Sequence, residues 1–200
     1  LSTLMLGKNV DSEKIYTEGI TKISAADFAY AKAAGKTIKL LARSKTVSED
    51  EVLAMVAPFM IDKEHPLSMV NGVFNAVFVT GNMLGDSMYY GKGAGKLPTA
   101  SAVVSDVIDC ARHPGRVIMC FWEQENVRLA DVSLEERSFF IRARAGFQKE
   151  IEEAFPGGRL LCLEGREQDF GYFTPVMQEN DFTGKYEALA DRVLGRIRLL

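Results

Sequence analysis

The stretch Tyr89-Tyr90-Gly91-Lys92-Gly93-Ala94-Gly95-Lys96-Leu97-Pro98-Thr99-Ala100-Ser101-Ala102-Val103-Val104 decides how the rest of the chain is read. It has the form of a strand end, a glycine-rich loop and a helix start. Glycines at alternate positions let a backbone turn tightly and approach a ligand closely. Pro98 suits a first helical turn, where its missing N–H costs nothing. Beyond it, Ala100, Val103, Val104, Val107, Ile108 and Ala111 keep the i, i+3, i+4, i+7 rhythm of a buried helix face. Free N–H groups and the helix dipole make such a junction a natural anion site. The spacing is not that of a P-loop, because Leu97 follows Lys96 where Ser or Thr is needed. Nor is it the dinucleotide fingerprint, because the third glycine comes one residue early. On its own, the loop is equally well read as a glycine-rich turn with no ligand.

Composition narrows the classes. The 200 residues are 47% hydrophobic and 26% charged, enough for one large or two small domains. A net charge of −3 supplies no basic field for nucleic acid. No apolar run approaches the ~20 residues of a membrane helix. Cys110, Cys120 and Cys162 read as reduced thiols of a cytoplasmic protein, not disulfides or zinc ligands. His65 and His113 are the only histidines, so no metal is expected. Leu1–Leu6 lacks the basic leader of a signal peptide. It reads as the tail of a buried helix closed by Gly7, so the chain is expected to be a piece of a longer protein.

Ser24-Ala25-Ala26-Asp27 is a capping box opening a helix that runs to Ala34, with Gly35 as its stop. The period then changes to two, and Thr37–Arg43 and Glu51–Met60 read as strands. Lys63–Leu67 is a loop entering a short helix, and Gly72–Thr80 and Ser87–Gly91 are two further strands. His113-Pro114-Gly115 ends the helix of the opening stretch and marks a domain boundary. Val117–Trp122 is expected as a strand and 123–136 as a polar connection. From Ser138 onward the order is βαββαβ: Ser138–Ala143, a helix through Ile151 to Phe155, Arg159–Leu163, Phe170–Met177, a helix from Phe182 to Val193, and Arg196–Leu200. The expected fold is therefore α+β: a mixed or antiparallel sheet with helices on one face over residues 1–113, then a small ferredoxin-like domain over 114–200.

At Tyr16-Thr17-Glu18-Gly19-Ile20-Thr21-Lys22-Ile23, at His65-Pro66-Leu67 with Val70–Ala76, and at Tyr90–Gly95 with Pro98–Asp106, the chain resembles homoserine dehydrogenase. The three blocks come in that family's order and cover roughly Leu1 to Arg112. The remainder resembles, more loosely, an ACT domain, with Phe173-Thr174-Pro175-Val176-Met177 as its clearest match. The resemblance implies an enzyme that interconverts L-aspartate 4-semialdehyde and L-homoserine with NADP or NAD, serving threonine, methionine and isoleucine biosynthesis. It implies a homodimer or larger homo-oligomer acting on a small-molecule substrate, with no nucleic-acid or membrane partner.

By the same resemblance, Gly95 matches a glycine whose backbone borders the nicotinamide cofactor. Gly93 and Ala94 shape that loop, and Thr99 either caps the helix or faces the ligand. His65 matches an accessory active-site histidine, and a His-Pro turn is its local alternative. Glu18 is a cleft residue or a structural hydrogen-bond partner, and Lys92 and Lys96 are able to attract phosphate. The family's Rossmann domain and catalytic lysine have no counterpart here, so no catalytic residue is assigned within the chain and the isolated chain is expected to be inactive. The ACT family's Asp-x-Pro-Gly loop is replaced by Ala143-Arg144-Ala145-Gly146-Phe147, where only the glycine remains, which points to a structural or oligomerising rather than a sensing tail. The alternative function is a regulatory amino-acid-binding module controlling such an enzyme.

Overall fold

The computed structural model describes residues 1–117, 119, 121 and 123–200. In chain order the elements are α1 (Ser2–Leu6), β1 (Lys8–Asn9), β2 (Tyr16–Thr17), α2 (Ala25–Ala33), β3 (Lys36–Ser48) and β4 (Glu51–Asp62). Then come β5 (Phe74–Gly81), β6 (Gly85–Lys92), α3 (Lys96–Arg112), β7 (Glu123–Asn126), β8 (Arg128–Leu129) and β9 (Glu136–Arg137). The chain closes with β10 (Phe139–Arg144), α4 (Gln148–Ala154), β11 (Arg159–Leu161), β12 (Asp169–Phe173), β13 (Met177–Gln178), α5 (Glu179–Ala188) and β14 (Val193–Leu199). Contacts gather these into two units, Leu1–Asp62 with Trp122–Leu200, and Lys63–Phe121.

The first unit is built on β4. Its sequence, Glu51-Val52-Leu53-Ala54-Met55-Val56-Ala57-Pro58-Phe59-Met60-Ile61-Asp62, is a nearly unbroken apolar run, and most of it is buried. Such a run marks a strand covered on both faces. One edge of β4 pairs antiparallel with β3 from Lys36↔Asp62 to Ser48↔Glu51. The other edge takes short parallel strands in tandem: β8 against 51–52, β2 against 55–56 and β14 against 59–60. Pro58 has no N–H to give a ladder. It lies where this second edge has no registered partner.

Through β14 the hairpin continues into an antiparallel sheet of order β11-β12-β10-β14. With α4 and α5 this is the expected βαββαβ order. Strand β10 buries both its faces. Phe139, Ile141 and Ala143 meet Ile151, Phe155 and Phe182 from the α4 and α5 side. Phe140, on the opposite face, meets Tyr30 and Ala31 of α2. Gly171 permits this: a Cβ there would lie 2.6 Å from the Phe140 ring and 2.9 Å from Tyr30. Helix α2 starts as expected, with the Ser24 N–H and hydroxyl both donating to Asp27 Oδ2 at 2.8 and 2.7 Å.

The contacts do not divide the chain at the expected 113/114 boundary. Tyr30, Ile38 and Met60 share one cluster with Phe140, Phe173 and Ile197, so residues from both sides of that boundary fill one core. Helix α1 forms and ends at Gly7 (φ +68°), but Leu1, Leu4 and Met5 are exposed rather than buried. The 123–136 connection contains β7 and β8. The strand expected over Val117–Trp122 includes Ile118, Cys120 and Trp122, which lie outside the described residues. Cys110 and Cys162 are free thiols, and Cys120 falls outside that description.

The second unit is the β5–β6 hairpin, paired from Phe74↔Lys92 to Gly81↔Gly85, followed by α3. Phe74 and Tyr90 stack across it, ring centroids 4.8 Å apart. Helix α3 forms where expected, yet its apolar face is not buried: Val103, Val104, Val107 and Ile108 are all exposed. Periodicity identifies an apolar face but does not specify what covers it.

Candidate functional site

The glycine loop lies where the opening stretch puts it, between β6 and α3. Gly95 is the N-cap of α3, at φ +121° and ψ +153°. An L-residue is strained there, whatever space surrounds it. A Cβ at Gly93 would lie 2.6 Å from Asn75 Nδ2, so any side chain at 93 must displace Asn75. Gly93, Ala94 and Gly95 are all solvent-exposed. The first intrahelical bond runs from the Thr99 N–H to the Gly95 carbonyl at 3.1 Å. Pro98 has no N–H, so the Lys96 and Leu97 N–H groups are the free donors of this helix start. The expectation that Thr99 caps the helix is corrected. Gly95 is the cap, and Thr99 sits a full turn further on, its backbone closing that turn.

His65 is engaged locally. Its Nδ1 accepts from the Leu67 N–H at 3.1 Å, capping the short 3-10 helix Pro66–Met69. Because Nδ1 is an acceptor, a neutral ring carries its proton on Nε2. The ring also packs against Phe78, centroids 5.1 Å apart. Of the two loop lysines, Lys92 sits with Nζ 5.6 Å from the Phe74 ring.

Glu18 belongs to a buried charge cluster in the first unit. Arg198 is 1% exposed and donates to Glu18 Oε2 at 2.6 Å, to the Tyr16 hydroxyl at 3.0 Å, and through Nε to both oxygens of Glu179 at 3.0 and 3.1 Å. Arg196 lies 3.3 Å from Glu18, and Arg137 Nε lies 3.4 Å from Glu179. Glu135 in turn contacts both Arg137 and Arg43. Burial pushes the Glu18 carboxyl up, but the Arg198 bond and the Arg196 and Arg198 charges outweigh it and hold its pKa below the ordinary value. Burial brings the Arg137 guanidinium down to about 10, against the pull of Glu179.

Arg137, Glu179 and Arg198 were not singled out by the sequence pattern. The available signal was Arg196-Ile197-Arg198 inside an otherwise apolar closing strand. Among the described residues no group of three His, Cys, Asp or Glu side chains is placed to hold a metal.

An α+β chain with a mixed sheet and a glycine corner at a helix N-terminus defines a broad class, which the comparisons narrow. A family model for homoserine dehydrogenase matches residues 1–108, and the chain belongs to that family. The homoserine dehydrogenase of Synechocystis sp. is 53% identical over 112 residues, which are 54% of this chain and 26% of that protein. That of Helicobacter pylori is 37% identical over 151 residues, 76% of this chain and 36% of that protein. Among solved structures, a homoserine dehydrogenase from Thiobacillus denitrificans superposes with a TM-score of 0.79 at 29% identity, covering all of this chain and 50% of that one. The S. aureus homoserine dehydrogenase does so at 0.72 and 26%, again over 50% of its chain. The chain therefore spans about half the length of the solved relatives it matches. No helix among the described residues is long and apolar enough to cross a membrane.

Proposed function

We propose that this chain is the catalytic-domain portion and tail of a cytoplasmic enzyme that interconverts L-aspartate 4-semialdehyde and L-homoserine with NADPH or NADH, in threonine, methionine and isoleucine biosynthesis. The observation that carries this reading is the family match over residues 1–108, which contains the glycine loop. The bound cofactor supplies the hydride chemistry. The residues present fit one edge of such a group. Gly93, Ala94 and Gly95 offer backbone without bulky side chains beside the nicotinamide, and at Gly93 the absence of a Cβ lets the Asn75 amide pack against the loop. The Lys96 and Leu97 N–H groups, with the α3 dipole behind them, favour partial negative charge there. Thr99 lies one turn inside the same helix start. His65, with Nδ1 occupied, is a hydrogen-bond donor through Nε2 and an accessory to the site rather than its base.

The dinucleotide fingerprint is absent from these 200 residues, and the proton-relay lysine lies outside them in this reading. The isolated chain mixed with homoserine and NADP is expected to give no reduced cofactor by absorbance. Robust turnover would place the chemistry within these residues and overturn that assignment. Residues 1–113 are the catalytic and dimerising portion in this account. The outer edge of β3 carries no strand partner among the described residues, which supports pairing with a second copy.

Residues 114–200 are read as an ACT-like module. The sheet order β11-β12-β10-β14 with two helices favours this. Its role is structural, because the loop after β10, Ala145-Gly146-Phe147, lacks the acid and proline that a sensing loop carries. Calorimetry of the full-length enzyme with threonine is expected to show no binding that depends on Arg144 or Phe147. Saturable binding abolished by changing either would establish the regulatory alternative.

A further inference from the structure

Strand β5 carries one residue that its pattern does not call for. Between Phe74 and the apolar run Ala76-Val77-Phe78-Val79 stands Asn75. Asparagine is depleted from strands, because its amide competes with the backbone for hydrogen bonds. Here the amide does not fasten the hairpin, since it makes no hydrogen bond to the protein among the described residues. A side chain that breaks a local rule without repaying its own element marks a place where something else is served.

The strand register shows what that is. Asn75 pairs with Gly91, and Phe74 pairs with Lys92 at the last rung of the ladder. Alternation then puts Asn75 and Gly91 on one face and Phe74, Tyr90 and Lys92 on the other. The second face is closed by the Phe74–Tyr90 stack and by Lys92 over the Phe74 ring. On the first face, Gly93 is the diagonal neighbour of Asn75, one residue past the ladder. The three heavy atoms nearest a Cβ at Gly93 all belong to Asn75: Nδ2 at 2.6 Å, Cγ at 3.3 Å and Cβ at 3.8 Å. A Cβ at Gly91 would meet nothing within 4 Å, and one at Gly95 would meet Pro98 in the first turn of α3. Gly93 is not among the glycines at positive φ, so its backbone accepts an L-residue. Glycine is needed at 93 for the space that Asn75 occupies.

We propose that Asn75 is a positioning residue of the cofactor site, its amide bracing the loop at Gly93 and so fixing where the Gly93–Gly95 backbone meets the nicotinamide. The proposal rests on the reading of that loop as the border of the cofactor. Glycine-rich backbone loses much conformational freedom when it is ordered. A side chain held against the first loop glycine removes part of that freedom before the cofactor arrives, and preorganisation of this kind appears as affinity. Asn75 acts through Gly93 and needs no contact with the cofactor itself.

The test is a fluorescence titration of the full-length enzyme with NADPH, which reads cofactor binding without turnover, together with the KM for homoserine. Asn75→Ala is expected to weaken NADPH by about ten-fold. The position is exposed, so the fold and the homoserine KM hold. Gly93→Ala is expected to weaken NADPH by a similar factor, because its Cβ displaces the amide. In the Asn75→Ala background the same change should cost less than about two-fold, since the atoms it displaces are gone. A purely structural role of either residue would not produce that coupling. Gly95→Ala, whose Cβ meets Pro98 and not Asn75, is the control for the loop itself. Weakened NADPH in Gly95→Ala with none in Asn75→Ala, or an equal cost of Gly93→Ala in both backgrounds, would overturn the proposal and leave the loop's cofactor role standing. Unchanged NADPH affinity in Gly95→Ala and Asn75→Ala alike would overturn the proposal together with the cofactor reading.

Discussion

Arg198 is the residue on which the first unit depends most. A guanidinium at 1% exposure is tolerated because Glu18, Glu179 and Tyr16 take its donors. Removing one partner of a buried ionic group leaves the rest uncompensated, at a cost of about 3–5 kcal/mol. Arg198→Ala is therefore expected to lower urea-unfolding stability by that order, and Arg198→Met by less, since Met keeps volume. Equal stability of Arg198→Ala and the parent chain would show that the cluster contributes nothing. The burial of this residue was not legible from sequence. Alternation in Arg196-Ile197-Arg198 sends Ile197 inward and both arginines outward, yet Arg198 and Ile197 are both buried. The carboxylates that make this possible are 180 and 19 residues away along the chain, beyond any local pattern. The glycine loop, by contrast, was legible, because the backbone conformation at Gly95 is a local demand met by a local residue.

At the scale of elements, β4 shows what periodicity can and cannot give. Its existence follows from a run of apolar residues, but an alternating reading assigns it one buried face, whereas both are covered. The β2 and β8 segments on its second edge have two residues each, too short for a periodic signal, whereas the seven-residue β14 is read as a strand over Arg196–Leu200. Two of the joints between elements end on carboxylates. Glu18 ties the residues after β2 to β14, and Asp169 of β12 is held by Arg166, Arg142 and Tyr30 of α2. Burial raises both carboxyls, and their partners more than reverse this, so both pKa values lie below the ordinary 4.5 and 3.8. A folded-state pKa below the unfolded one gives stability that is present above the unfolded value and lost as pH falls through the folded value. Stability should therefore hold from these groups down to about pH 5 and decline below about 4.5. Glu18→Gln should flatten part of that decline in a series of urea melts. An unchanged acid limb in that variant would remove Glu18 from the account.

At the scale of the molecule, the chain consists of a unit with a sheet covered on both faces and a unit made of a hairpin and one long helix. The order of the larger elements could be read from the sequence almost throughout, because each is a stretch of uniform period bounded by glycine or proline. The grouping of those elements was not, because β14 joins β4 by pairing that no local signal encodes. The exposure of α3 was likewise hidden. The family assignment rests on residues 1–108, and the functional reading within it depends on the glycine corner at Gly93–Gly95.

The most direct test of that reading is Gly95→Ala in the full-length enzyme. At φ +121° an alanine is strained, by about 1–3 kcal/mol, and the loop must move to relieve it. The account predicts that the KM for the nicotinamide cofactor rises by about ten-fold, while the KM for homoserine holds close to the parent value and the variant stays folded with a modestly lower melting temperature. Unchanged cofactor KM and kcat in a folded variant would contradict the claim that this loop borders the cofactor.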